Sequence, residues 1–468
     1  MATTDLDRAA TGVTAGSGLA AAGGYGLSCD EYELTMAQSF LRHGQTGRAV
    51  FELFVRSLPP HRGFLVAAGL GTALDYLERL RFDAEDLAWL ARTGAYGGAF
   101  LDHLAGLRFT GDVDAVAEGT PVGAAEPILR VSAPRVEATL VESALLAIVN
   151  HETVVATKAA RIVGAAAGRP VLDFSLRRLH GPDAALGTVR AAWIGGVAAT
   201  ATVAGGRRLG VPTSGTMAHH FVLAFGPDGE QAAFEQFLRD APGRAVLLVD
   251  TYDTLRGTNR AIAASRATGV ALAGVRIDSG DIASVARAVR AALDGAGMRD
   301  ARVVASGDLD EWRINDLVRR RAPVDAFGVG TSLGTSTDAP ALGAVYKLVA
   351  QEDAAGTLQP VMKRSEGKAT DPGVHQVWRT AEGDVLGLAS EPAPEGEPLL
   401  RPVMTRGRRE VAETLDAARD RCATALSRLP EPVRRLTDPV PLRVRRSALL
   451  DALSSRLSEG GTMGGTVS

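Results

Sequence analysis

The chain is predicted to be an α/β protein, and within that class a barrel of parallel strands. Two observations carry the prediction. Between residues 170 and 330 short apolar runs alternate with helical patterns, which implies parallel strands joined by right-handed crossovers. Polar residues then gather just after each run, at the carboxyl ends of the strands, where α/β barrels keep their chemistry. An open doubly wound sheet is the second choice.

The strand-like runs are 170–174, 221–223, 245–250, 272–278, 302–306 and 324–327. Helical patterns over 254–268, 282–296 and 311–321 separate several of them. Upstream, α and β are mixed. Asp30 is a suitable N-cap for a helix with Leu34, Ala37 and Phe40/Leu41 at helical spacing. Residues 48–58 alternate like a strand; 64–80, 83–93 and 97–105 read as helices; 111–119 and 128–133 read as strands bounded by Gly and Pro. One long helix is expected over 136–167, closed by Gly168 and Pro170. After Lys347 come a hairpin over 374–389 turning at Glu382 and Gly383, a loop at 392–398, and helices over 411–429 and 446–457.

Composition narrows the function. At 468 residues the chain has room for two or three domains. A net charge of −3 gives no sign of a nucleic-acid or membrane-surface binder. Two distant cysteines, Cys29 and Cys422, make neither a disulfide framework nor a zinc site and fit a reducing, cytoplasmic setting. No apolar run reaches the roughly 18 residues that span a bilayer. Residues 1–26 lack the basic start and apolar core of a signal peptide and are expected to form a flexible leader; 458–468 are expected to fray.

The chemistry-bearing stretch is VPTSGTMAHH (211–220), with three hydroxyls and two adjacent histidines. His219 is a side chain able to carry a proton or a phosphoryl group. If 221–223 is a strand, His219 and His220 point opposite ways and only one faces the site. Arg177 and Arg178 suit a bidentate grip on phosphate. Asp250 and Asp278 follow parallel-type strands and suit a hydrated magnesium ion or sugar hydroxyls, while Asp281 reads as an N-cap. Gly307, in Ser306–Gly307–Asp308, and Gly328 and Gly330, in the turn before Thr331, mark two successive turns whose backbone amides can cradle phosphate. With strand-end Arg276 they point to a phosphorylated sugar.

Taken in order, DEYELTMAQ (30–38), ATKAARIV (156–163), DFSLRRLHGPDAAL (173–186), PTSGTMAHHF (212–221), VDTYDT (249–254), GVRIDSGDI (274–282), DAFGVGTSLGTS (325–336), YKLV (346–349) and KRSEGK (363–368) resemble the nicotinate phosphoribosyltransferase family. The resemblance runs from residue 27 to about 457. It implies an irregular, TIM-like α/β barrel over 136–345. A second α/β domain would be built from 27–135 and 346–457, in a homodimer with shared active sites. The implied reaction joins nicotinate to 5-phosphoribosyl 1-diphosphate in NAD salvage, with Mg²⁺, and couples ATP hydrolysis through a phosphohistidine.

By motif, His219 would be phosphorylated, and Tyr32 would stack on the pyridine ring from the partner subunit. Thr216 and Arg276 would bind nicotinate. Arg177 or Arg178, Ser279, Gly280, Gly307, Gly330 and Thr331 would hold phosphates. Asp250 and Asp278 would handle ribose and hydrated magnesium, with Asp278 counted as catalytic beside His219. Three departures from the family pattern are Cys29 before the Asp-x-Tyr, His220 after His219, and Ser306–Gly307–Asp308. Nicotinamide-using relatives of this barrel carry an aspartate in a stretch like ATATVAG (199–205). Here Ala201 holds that place, so nicotinate's carboxylate meets no like charge. Quinolinate phosphoribosyltransferases are much shorter, and a non-catalytic nucleotide-binding barrel would have no need of a phosphorylatable histidine.

Overall fold

A computed structural model describes residues 24–365, 370–410 and 412–459. The leader and tail expected at 1–26 and 458–468 lie almost wholly outside the described residues, as does part of KRSEGK. Three described residues belong to the leader stretch, and among them Tyr25 packs edge-on against Tyr76.

The fold is mixed α/β, built around two large sheets. The first is parallel throughout and has six strands. Its spatial order is Ala199–Thr200, Val171–Asp173, Ala326–Val329, Arg302–Ala305, Gly274–Ile277 and Val246–Leu248. The last strand in sequence pairs with the first, and the order never reverses as it would in a doubly wound sheet. The result is a half-barrel. Its strands read as mostly apolar runs because helices cover them: Val275, Ile277, Val303, Ala305, Phe327 and Val329 are fully buried. Helices Thr254–Thr268 and Glu311–Arg319 begin where predicted, because Asp253 and Asp310 accept the amides of Arg256 and Arg313 at 2.8 Å. Asp281 stands at the N-cap position of helix Ile282–Gly295, and its carboxylate accepts the Ser284 hydroxyl at 2.6 Å.

The second sheet has seven strands and interleaves distant parts of the chain. Its order is Leu358–Pro360, Ala344–Glu352, Arg48–Val55, Pro127–Pro134, Asp112–Val116, Leu400–Thr405 and Arg408–Arg409. The 24-residue helix Glu142–Ala165 packs on strand Ala344–Glu352 of this sheet and on helices Ala184–Ile194 and Glu311–Arg319 beside the other. The predicted hairpin forms from His375–Thr380 and Gly383–Leu388.

Three expectations fail. The stretch 64–80 is not one helix. Leu65–Val66 is a buried strand paired with Pro121–Val122, and Gly69, at φ 97°, turns the chain into helix Leu70–Arg79. The helix expected over 136–167 breaks at Val141 into Arg135–Leu140 and Glu142–Ala165. Phe221–Val222–Leu223 is not a strand: His219–Leu223 is a short helix. The neighbouring sheet position belongs instead to Ala199–Thr200, bridged to Thr213.

Candidate active site

The carboxyl ends of three adjacent parallel strands are laced together by side chains. Asp250, after Val246–Leu248, accepts the Asp278 amide at 2.8 Å and the Ser279 hydroxyl at 2.7 Å through one oxygen. Asp278, after Gly274–Ile277, accepts the Ser306 hydroxyl at 2.5 Å. Gly307, at φ 88°, lies directly on the Asp278 carbonyl, where no side chain fits. These bonds leave one oxygen of each aspartate for other use. Asp250 Oδ1 is buried without a partner, and Asp278 Oδ2 lies 3.8 Å from His219 Nε2.

His219 opens its short helix, and its ring is held from the other side by Thr251, whose Oγ1 is 3.2 Å from Nδ1. The expectation of two histidines on opposite strand faces is therefore replaced: both sit in one helical turn, with His219 half-exposed toward Asp278 and His220 exposed. Two residues before Asp278 on the same strand, Arg276 points to Thr216, donating to its hydroxyl at 2.7 Å. The Arg276 guanidinium lies 5.9 Å from the Phe174 ring centroid. Its Nε is buried and unpartnered. Burial pushes this guanidinium below the usual arginine range, against the pull of Asp278 and Asp250, and Arg177 adds to the push. A buried cation in that condition favours an anion.

The remaining phosphate candidates rim the same end. Arg177 and Arg178 form an exposed turn after strand Val171–Asp173. Gly328 leaves room for the Phe174 ring, and Gly330 lies against the Phe174 carbonyl and the Arg178 stem. Thr331 is exposed at the start of the next short helix. Gly280, at φ 81°, and Gly307 border a 650 Å³ cleft that also takes in Asp278, Asp308 and Trp312. Ala201 is exposed beside this rim, its amide bonded to the Asp173 carbonyl at 2.8 Å. Tyr32 is the exception. It lies on helix Glu31–Arg42 beside Glu142 and Ser143, and is 46% exposed.

The chain aligns at 47% identity over 421 residues with a nicotinate phosphoribosyltransferase of Mycobacterium tuberculosis, covering 88% of this chain and 89% of that one. It belongs to the nicotinate phosphoribosyltransferase family. The family's N-terminal domain model matches residues 27–150. A Bacillus subtilis nicotinate phosphoribosyltransferase is 44% identical over 78% of this chain and 76% of its own length. The crystal structure of human nicotinic acid phosphoribosyltransferase superposes with a TM-score of 0.80 at 29% identity, covering 92% of this chain and 99% of that one.

Set against the family motifs, the fold draws His219, Asp278, Arg276, Thr216, Asp250, Ser279 and Gly307 into one constellation, with Arg177, Arg178, Gly330 and Thr331 around it. Phe174, Asp173, Thr251 and Ser306 lie within stretches that sequence reasoning quoted, but it gave none of them a role of its own. Asp173 is fully buried and accepts the Thr200 hydroxyl at 2.7 Å, tying two strand ends together. Each adjoins a motif residue in sequence; its long-range partner does not.

Proposed function

We propose that the chain joins nicotinate to the ribosyl carbon of 5-phosphoribosyl 1-diphosphate, releasing nicotinate mononucleotide and diphosphate in NAD salvage. ATP hydrolysis drives the synthesis through phosphorylated His219. The observation that carries this reading is the meeting, at one set of strand ends, of an under-compensated buried cation, Arg276 with Thr216, and a histidine facing a carboxylate, His219 with Asp278.

Nicotinate's carboxylate supplies the anion that Arg276 lacks, and Phe174 offers its ring an aromatic neighbour. The ring nitrogen forms the new bond to the ribosyl carbon while the bond to the diphosphate oxygen breaks. Holding both reactants in line supplies much of the rate, and Arg177, Arg178 and the Gly307 and Gly330–Thr331 turns would offset the phosphate charge. With Thr251 on Nδ1, Nε2 is the nitrogen left to take the terminal phosphoryl group of ATP, releasing ADP; water later takes that group. Ligand affinity that differs between phosphorylated and free enzyme then pulls synthesis forward. Asp250 and Asp278 would hold hydrated magnesium, which supplies neutralisation of the diphosphate; the buried, unpartnered Asp250 Oδ1 fits such an outer contact.

The same reading completes the half-barrel as an irregular TIM-like barrel and joins residues 27–135 and 346–457 in a second α/β domain. It places the enzyme in the cytoplasm and pairs two chains, so that Tyr32 of one meets the pyridine ring bound by the other. Among the described residues no helix is long and apolar enough to cross a membrane.

The test is nucleotide formation from nicotinate and from nicotinamide, each with phosphoribosyl diphosphate and Mg²⁺, with and without ATP, in the parent and His219→Ala. Nicotinate turnover that rises with ATP only in the parent supports the reading. Turnover of nicotinamide alone refutes it.

A further inference from the structure

We propose that Glu33 is a positioning residue for Tyr32, acting through Ser143 to fix the aromatic ring that meets the pyridine substrate. The inference rests on the role given to Tyr32 above. Tyr32 and Glu33 are neighbours on helix Glu31–Arg42 and look in different directions: the tyrosine is 46% exposed, the glutamate 0%. Glu33 Oε1 accepts both the amide of Ser143, at 3.0 Å, and its hydroxyl, at 2.5 Å. Ser143 lies in the first turn of helix Glu142–Ala165, where amides have no partner within the helix and an acceptor is needed. Tyr32 stands close to Glu142 and Ser143 at this junction. Through Ser143 the buried carboxyl group thus pins the helix that carries Tyr32 to the start of the long helix, and so sets where the exposed tyrosine stands.

The other oxygen, Glu33 Oε2, is buried and has no partner. Around Glu33 stand Asp30 on its own helix, Cys29 before it, Glu142 on the long helix, and the phenols of Tyr76 and Tyr346. No cation acts directly on it among these groups; Lys347 faces Glu142 instead. Burial first, then Glu142 and Asp30, push the Glu33 carboxyl up to about 7, against the Ser143 hydrogen bonds. Its proton therefore leaves within the working range. The neutral form keeps the bridge and buries no charge, leaving only an unpartnered O–H on the second oxygen. The ionised form places an unpaired buried charge beside two carboxylates and works the two helices apart. Because the folded value is raised, the grip is complete in acid and is lost as pH climbs through about 7.

The experiment measures KM for nicotinate and for phosphoribosyl diphosphate from about pH 6 to about pH 8, bracketing the Glu33 ionisation. The proteins are the parent enzyme, Glu33→Gln, Ser143→Ala, Tyr32→Ala and the Ser143→Ala/Tyr32→Ala double variant. In the parent, nicotinate KM is expected to rise several-fold through about pH 7; the permanently neutral Gln variant should stay low and lose the rise. Ser143→Ala should raise nicotinate KM roughly tenfold, leave the other KM unchanged, and add nothing on top of Tyr32→Ala. A Gln variant that keeps the parent's pH dependence overturns the proposal. So does a Ser143→Ala variant with parental nicotinate KM while Tyr32→Ala raises it. If Tyr32→Ala itself changes nothing, the role given to Tyr32 fails first and the positioning role falls with it. Should Glu33→Gln melt early, Ser143→Ala, which keeps the carboxyl group, decides alone.

Discussion

Lys158 and Arg276 are both buried cations in this chain, and their surroundings differ in kind. Lys158 is 0% exposed and donates to Glu311 at 2.5 Å and Asp338 at 2.6 Å. Arg161 takes the other Glu311 oxygen at 3.0 Å and Arg62 the other Asp338 oxygen at 2.7 Å, while Trp312 stacks over Lys158 and Arg161. Those charges satisfy one another. Within the cluster only Arg62 Nη2 lacks a partner among the described residues. Arg276 has a single hydroxyl partner and an orphaned Nε; nearby, Asp250 has an orphaned oxygen and His219 stops short of Asp278. Folding thus completes the first region and leaves the second unfinished. Between these two regions, unmet polar groups rather than charge or burial as such separate the candidate site from the cluster that pins helices.

Substitution should separate the two. Lys158→Met leaves buried Glu311 and half-buried Asp338 without their common partner and is expected to cost about 3–5 kcal/mol, read as a large fall in Tm. A parental Tm would mean the cluster is not structural. Arg276→Gln should do the reverse: Tm unchanged or raised, and kcat/KM for nicotinate lower by about 2–3 kcal/mol, or roughly a hundredfold. Loss of stability in that variant would erase the contrast. Gly307→Ala bridges the regions, since a side chain at φ 88° over the Asp278 carbonyl strains backbone and site together. About 1–3 kcal/mol should be lost from stability, with ATP stimulation falling in parallel. Ser306→Ala is the mildest, removing one bond to Asp278 for about 1 kcal/mol and leaving nicotinate KM near parental.

The site was more legible than its supports. Asp250 follows an apolar run, and Arg276 and Asp278 stand within and just after another, so strand and site could be read together, and short-range signals such as Asp253 and Asp310 marked helix starts. Two of the misread pieces share one cause. Five or fewer apolar residues, as at Leu65–Val66 or Phe221–Leu223, suit strand and helix equally, and tertiary pairing decides. The break at Val141 carries neither Gly nor Pro to announce it. Lys158 and Glu311 lie 153 residues apart, and Glu33 and Ser143 110 apart, so no spacing rule reveals either bond. Thr251 and Ser306 stood beside motif residues, but only folding brought them to His219 and Asp278.

The most direct measurement is covalent. The purified enzyme is incubated with γ-labelled ATP and Mg²⁺, and acid-labile phosphoryl groups are counted on the parent and on His219→Asn. A phosphoryl group on His219, absent from the variant and discharged faster once nicotinate and phosphoribosyl diphosphate are added, is the predicted result. Equal labelling of the variant, or no labelling of a parent that still shows ATP-stimulated nicotinate turnover, would contradict the role given to His219.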